Sequence, residues 1–342
     1  MKTVVLVMAG GKGERFYPAS RNNYPKQFLY LLNDDESMIQ KTVNRVLPIV
    51  DKEDVYILTN ILYKDEVKKH LPFVKEENIV LEPSARNTAP AIELGIEKVK
   101  EKYEDALIVV LPSDQLIKDE ANFLTTLKLG IEYASNNDAL ITIGIKPTEP
   151  NTGYGYIKLS DSNKVSKVNR FVEKPNLEKA KEYLNEGDYV WNAGMFIFSL
   201  KNIDKAFKTY LPNQYDILSK DTSKFNDVEP ISIDYGIMEK ANNIYCVKGD
   251  FGWDDVGSWL SLERNNVQDK NGNTVLNKEV VLLDSKNNII KGRNNKLIAT
   301  LGVNDLVIVE DDDVILIAKK EKVSNIKEII KALKEEKKDK YI

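Results

Sequence analysis

The chain has 342 residues, with 49 Lys plus Arg against 53 Asp plus Glu, a formal net charge of −4, 42% apolar and 30% charged residues. That balance excludes a disordered chain and gives no whole-chain reason to expect nucleic acid as a partner. One cysteine, Cys246, and one histidine, His70, exclude an intramolecular disulfide, a thiolate zinc cluster and most imidazole catalysis.

The apolar run at residues 4–9 leads straight into a glycine loop, which makes it a buried strand rather than a leader peptide. Runs at 55–59, 79–81, 107–111 and 140–145 share its Val, Ile and Leu content without polar alternation, as strands covered on both faces require. Between them, Ile39, Val43, Val46 and Val50, then Ile92, Ile96, Val99 and Tyr103, repeat at helical spacing. Strand–helix–strand repetition predicts an α/β fold, a Rossmann-like and mostly parallel sheet with helices on both faces, whose ligands sit beyond the carboxyl ends of the strands. No apolar run reaches the roughly 18 residues of a membrane span, so a soluble, cytoplasmic protein without membrane partners is expected.

Residues 146 to about 262 become rich in Gly, Pro and aromatics and read as the second half of one catalytic domain, 1–262. From there, short β runs (280–283, 306–309, 314–317) alternate with Asn, Asp and Gly turn signals, as in a small all-β module. Val323, Ile326, Ile329, Ile330 and Leu333 are helically spaced and predict a terminal amphipathic helix, packed on that module or on a second subunit. The second domain is therefore 263–342, a small β-rich module with a terminal helix, and a dimerisation role is expected of it.

Gly10-Gly11-Lys12-Gly13-Glu14-Arg15-Phe16-Tyr17-Pro18 follows the first strand, and Pro25-Lys26-Gln27-Phe28 lies shortly after. Glycines let backbone N–H groups approach an anion closely, while Lys12 and Arg15 add positive charge. The dinucleotide fingerprint fails because Phe16 takes the third glycine's place, and the P-loop fails because Leu6 stands where its first glycine should be. The remaining pattern, G-G-x-G-x-R-x-x-P with a downstream P-K-Q-F, resembles the sugar-nucleotide pyrophosphorylases. These enzymes join a nucleoside triphosphate to a sugar 1-phosphate. A triphosphate and an anionic nucleophile repel by several kcal/mol at low effective dielectric, so cations and aligned donors are what such chemistry needs. The resemblance implies that Ala9, Gly10, Gly11, Gly13, Arg15 and Lys26 bind the nucleotide, with Lys26 near the α-phosphate.

Leu81-Glu82-Pro83-Ser84-Ala85-Arg86-Asn87-Thr88-Ala89-Pro90 ends the third strand and opens a helix that Asn87 or Thr88 can cap. The string resembles the E-P-x-x-R-N-T-A-P segment of the mannose-1-phosphate guanylyltransferases, which adds Glu82, Arg86, Asn87 and Thr88 to the nucleotide set. An acceptor-only carboxylate at Glu82 suits the N1–H and N2–H₂ donors of guanine, whereas uracil or thymine would be served better by a neutral amide. Asp114, at the carboxyl edge of the fourth strand, can hold a metal between phosphates, and is equally suited to cap a turn. Trp253-Asp254-Asp255-Val256-Gly257-Ser258-Trp259 resembles the family pattern W-x-D-V-G-[ST]-W, which matches the metal ligand to Asp255 and leaves Asp254 in a variable position. Mg²⁺ on Asp114 and Asp255 is thus the implied cofactor, in keeping with a chain that can offer metals mainly oxygen ligands.

The resemblance extends to the sugar side: Gly153, in a glycine-rich turn, and Glu173 and Asn192 match sugar-binding positions, Lys174 matches the sugar-phosphate position, and Asp234 lies in a further matching string. Alone, Glu173-Lys174 reads as a surface ion pair and Asp234 as structural. The implied activity turns GTP and mannose 1-phosphate into GDP-mannose and pyrophosphate. A glucose-1-phosphate uridylyl- or thymidylyltransferase and a non-catalytic sugar-nucleotide sensor are the alternatives. Members of the family often carry a short left-handed β-helix at the C-terminus and dimerise through it. Hexapeptide periodicity is weak here and leaves the topology of that module open, with a homodimer as the expected assembly. Longer relatives append a histidine-rich isomerase of cupin type, and the lack of such histidines predicts no isomerase activity.

Overall fold

Val4, Val5, Leu6 and Val7 are all inaccessible to solvent, and a strand buried on both faces has no use for polar alternation. The computed structural model describes residues 1–342 except 32–34, 173, 278 and 293–295. Its strands, in chain order, are β1 (Lys2–Met8), β2 (Val55–Asn60), β3 (Ile79–Glu82), β4 (Ala106–Pro112), the two-residue β5 (Leu116–Ile117), β6 (Leu140–Ile145), β7 (Tyr156–Leu159), β8 (Val165–Val172), β9 (Tyr189–Ser199), β10 (Ile244–Gly249), the two-residue β11 (Trp253–Asp254), β12 (Thr274–Leu276), β13 (Val280–Leu283), β14 (Ile289–Lys291), β15 (Ile298–Leu301), β16 (Leu306–Asp311) and β17 (Val314–Lys319). The chain forms two compact units: Met1–Gly10, Thr42–Ser113 and Ile117–Trp253 in the first, and Gly11–Lys41, Asp114–Leu116 and Asp254–Ile342 in the second.

The first unit is built on a sheet in the order β3-β2-β1-β4-β9-β6-β10-β8-β7. The run from β3 to β4 is parallel throughout, with Val5 opposite both Val55 and Val109. The sheet as a whole is mixed. β9 inserts antiparallel between β4 and β6, and β7 and β8 add antiparallel pairs. Alternation along β9 sends side chains to opposite faces. Phe196 and Phe198 join Val4, Leu6 and Ile108 and the helical residues Ile92, Ile96, Ile203 and Phe207 in one core. Ile197 turns to the other face, where Gly130 of the helix Glu120–Asn136 approaches it, Ile141 and Val247. Helices thus cover both faces, and each large apolar side chain buried there contributes roughly 1.5–3 kcal/mol. The sequence around Asn192 suggests a turn leading into a strand. It is instead a bulge inside the continuous β9, where Gly194 takes φ 68° and the pairing with β6 slips between Thr142 and Gly144.

In the second unit β12, β14 and β16 stack in parallel, with Thr274, Ile289 and Val307 in register, fifteen and then eighteen residues apart. β13 and β15 form a second parallel pair, and β17 closes the stack antiparallel to β16. Unequal coils explain why no six-residue period stands out. The coils are tied internally by buried asparagines: Asn273 Oδ1 accepts from the backbone N–H of Asn288, and Asn288 Oδ1 accepts from that of Leu306, each at 2.9 Å. Asp284, Asn287, Asp305 and Asp312 supply left-handed corners, a conformation Asn and Asp tolerate better than most residues. The helix Ile326–Glu335 buries Ile326 and Ile330, one turn apart, against the same core as Leu276, Val307 and Leu316. That core also contains Phe16, Tyr17, Leu29, Leu31 and Met38 from near the amino terminus.

Candidate active site

β1 ends where the Ala9 N–H donates to the Leu58 carbonyl and the Thr59 hydroxyl donates to the Ala9 carbonyl. Past that clamp Gly11 and Lys12 are exposed. Gly13 sits at φ 62°, and a Cβ there would lie 2.4 Å from Lys26 Cβ and 2.7 Å from the Lys26 backbone nitrogen. Only glycine permits both that conformation and that approach. The turn Glu14–Phe16 is then anchored from below. Phe16 meets Trp259 edge-on at 5.0 Å, and the Trp259 indole N–H donates to the Tyr17 carbonyl at 3.0 Å.

This scaffold sets Lys12, Gly13, Arg15, Lys26, Asp114 and Asp255 around one cleft of about 370 Å³, together with Gln115, Gly257 and Lys327. Lys26 is only 5% exposed. Its ammonium donates to Asp114 Oδ2 at 3.0 Å and to the Asp255 carbonyl at 2.7 Å. Arg15 is exposed and, like Lys12, has no ion-pair partner among the described residues. Such a cleft presents uncompensated positive charge above a buried, compensated one, which suits an anion that can displace the carboxylate from Lys26.

Asp255 is held by its neighbours. Val256 takes φ 47°, rare for a β-branched residue and costing about 1–3 kcal/mol, while its side chain is fully buried and its N–H donates to Asp254 Oδ1 at 2.7 Å. Asp254 also accepts two hydrogen bonds from the Arg264 guanidinium and one from Asn265, so its carboxylate braces the segment. The Asp255 carboxylate lies 3.7 Å from Arg264.

In the first unit, Glu82 ends β3 and is 7% exposed, with Oε1 2.8 Å from where a Cβ on Gly10 would stand. No hydrogen bond or ion pair from a described residue reaches it, and burial raises its pKa from the ordinary 4.5 to about 7. Asn87 caps the helix Thr88–Lys100, its side chain accepting from the Thr88 N–H, and the Thr88 hydroxyl accepts from the Ile233 N–H at 2.9 Å. Arg86 donates to the Asn226 carbonyl at 2.7 Å. Thr88 and Arg86 thus fasten the segment to residues 226–233, while Asn87 only caps the helix.

The Asn192 amide donates to Asp234 Oδ1 at 2.7 Å, and its oxygen accepts from the Gly194 N–H at 3.0 Å. Asp234 therefore fixes the amide's orientation. Gly153 lies in an exposed turn whose N–H donates to Asn151 Oδ1, Lys174 is exposed, and Glu173 lies outside the described residues. Lys327, on the C-terminal helix, is a cleft residue the sequence does not suggest. Its spacing marks it only as the solvent side of an amphipathic helix.

Residues 4–272 match the nucleotidyl transferase family, and residues 278–333 match a MannoseP isomerase/GMP-like beta-helix domain. The chain is 37% identical over 354 residues to a mannose-1-phosphate guanylyltransferase of Escherichia coli, covering 96% of this chain and 75% of that protein. It superposes with a TM-score of 0.89 and 34% identity on the crystal structure described as mannose-1-phosphate geranyltransferase from Thermus thermophilus, covering 98% of this chain and 100% of that one. A mannose-6-phosphate isomerase structure from Helicobacter pylori superposes with a TM-score of 0.60 and 27% identity, covering 74% of this chain and 100% of that one.

Proposed function

Because this chain belongs to the nucleotidyl transferase family, among its mannose-1-phosphate guanylyltransferases, we propose that it transfers GMP from GTP to α-D-mannose 1-phosphate. The products are GDP-mannose and pyrophosphate. A phosphate oxygen of the sugar phosphate attacks the α-phosphorus in line. The new P–O bond forms as the bond to the β-phosphate breaks, and the electron pair leaves with pyrophosphate. No protein nucleophile is required, and rate comes from positioning and charge neutralisation. The observation that carries this reading is Lys26, a buried ammonium held between Asp114 and the Asp255 carbonyl on a cleft lined by Arg15 and Lys12.

In this scheme Lys26 exchanges the Asp114 carboxylate for a phosphate oxygen. Lys12, Arg15 and the backbone of Gly10, Gly11 and Gly13 offset the remaining charge. Glu82 accepts from guanine, next to Ala9 and Gly10 at the end of β1. Asn192, aimed by Asp234, contacts sugar hydroxyls, a role the sequence string also assigns to Glu173 and Gly153, and Lys174 binds the sugar phosphate. Among the described residues no group of three or more His, Cys, Asp or Glu is arranged as a closed metal cage. Asp114 and Asp255 are two oxygen donors on the phosphate cleft, which fits a Mg²⁺ that takes its other ligands from phosphates and water. When bound there, Mg²⁺ would neutralise phosphate charge.

We also read the protein as a cytoplasmic homodimer. Val281, Leu283, Ala299 and Leu301 share the outward face of the β13–β15 pair, and Leu283 and Leu301 are 58% and 74% exposed. Such an apolar face suits a second copy. No helix among the described residues is long and apolar enough to cross a membrane.

Pyrophosphate release with Mg²⁺, measured for four nucleoside triphosphates against several sugar 1-phosphates, tests the reaction. GTP with mannose 1-phosphate should be fastest. A preference for UTP or dTTP with glucose 1-phosphate would replace the substrate assignment, and ligand binding without pyrophosphate would make the protein a sensor.

A further inference from the structure

We infer that Lys327, on the C-terminal helix, binds the outer phosphates of the triphosphate and holds the departing pyrophosphate. The inference rests on the transferase reading and adds to it a role for the C-terminal module in the phosphate cleft itself. Lys327 lines the same cleft as Lys12, Arg15 and Lys26, although about 300 residues separate it from them in the chain. Its helix is fixed, because Ile326 and Ile330 are buried in the core that also holds Phe16 and Trp259. Its side chain is 63% exposed, and its ammonium meets Glu14 at 3.2 Å.

Glu14 stands between Gly13 and Arg15, an acidic residue inside an anion-binding loop. An unpaired carboxylate there would repel the ligand. Lys327 masks it when the cleft is empty, and the same ammonium is free to turn to a phosphate when one arrives. The depth of the lysines assigns their partners. Lys26 is buried and takes a phosphate deep in the cleft, whereas Lys327 is exposed at its edge and meets the phosphates that extend outward, the β and γ groups that leave together.

Pyrophosphate binding with Mg²⁺, measured by titration calorimetry on the full chain, tests this without requiring turnover. K327A should weaken pyrophosphate binding about tenfold, while K327R should keep it within about twofold. The double variant E14Q/K327A separates direct binding from masking of Glu14. If Lys327 contacts phosphate, the double variant stays weak. If it only neutralises Glu14, the double variant recovers wild-type affinity, which would overturn the inference. Equal affinity of K327A and wild type, at matched melting temperatures, would overturn it as well, as would failure of the wild type to bind pyrophosphate. Cleavage of GDP-mannose by pyrophosphate in the wild type is read separately. Its absence would count against the transferase reading, while the calorimetric contrast would still decide the role of Lys327.

Discussion

Glu82 offers the sharpest test of base recognition, because its ionisation and its proposed role pull in opposite directions near neutral pH. Its carboxyl is buried and unpartnered among the described residues, with a pKa pushed up to about 7. Guanine presents donors, so only the ionised form accepts from both N1–H and N2–H₂. If the competent fraction is the carboxylate, apparent affinity for GTP falls by the inverse of that fraction: about elevenfold at pH 6 and about 1.1-fold at pH 8, a net change near tenfold. The terminal phosphate of GTP also titrates, near pH ~6, so the wild-type profile alone does not isolate Glu82. Glu82→Gln does. An amide has one acceptor oxygen and adds donors that face the donors of guanine, so kcat/KM for GTP should drop by roughly ten- to a hundredfold, the range of a lost charge-assisted pair. The pH dependence that remains should be that of GTP itself. The neutral amide should also raise UTP relative to GTP. The assay is pyrophosphate release at saturating mannose 1-phosphate from pH 6 to 8.5 for both proteins. Parallel profiles for wild type and E82Q, with an unchanged GTP to UTP ratio, would refute the reasoning.

Lys26→Ala should lower kcat by about 10²–10³ with far-UV circular dichroism unchanged, the scale of losing one preorganised charge donor. A near-wild-type rate would remove the role assigned to it. Glu93 is 1% exposed and burial raises its pKa from 4.5 to about 7, with the Gln214 amide donating to it at 2.6 Å. Between those two values the folded state alone holds the proton, so its stabilisation is full below pH ~4.5 and is lost as pH rises to ~7, on the order of 3 kcal/mol. Glu82 titrates in the same window, so Glu93→Gln should flatten the fall in urea-unfolding stability between pH 5 and 7 by about half rather than abolish it. A slope identical to wild type would show that Glu93 is already ionised in the fold. Replacing Leu283 and Leu301 together by Asp should convert a dimer to a monomer in light scattering, since both side chains are exposed on one apolar strand face. A wild-type protein that is already monomeric would exclude that interface.

Much of the site is legible in the sequence because the chemistry of each segment is local. Glycines followed by Arg15, a lysine after a proline, and a carboxylate at the end of a strand are readable one string at a time. The buried strands β1, β2, β4 and β6 are legible for the same reason: burial on both faces leaves an unbroken apolar run. The antiparallel insertion of β9 is not, because a strand's neighbours are chosen by contacts distant in sequence and its own pattern is the same in either direction. The coil of the C-terminal module is hidden by unequal turns. Its asparagines read as loop residues, although Asn273 and Asn288 are fully buried and bind one coil to the next.

Which groups carry charge, which loops admit an anion and which residue types could face a base, a sugar or a metal are all written in the order of the amino acids. Which of these share a space is not, and follows from folding alone. The loop bearing Gly13 and Arg15 is secured by Phe16 and Tyr17 against Trp259, in one core with strands and a helix from the far end of the chain. That arrangement depends on apolar surfaces distant in sequence finding one another, and it is what brings Lys327 to the cleft of Lys26. In the first unit a separate core, which holds Phe196, Ile233 and Ile237, accompanies the bond that sets Asp234 behind Asn192. Burial, too, comes from packing between distant segments, and it turns Glu82 from an ordinary carboxylate into one poised near neutrality.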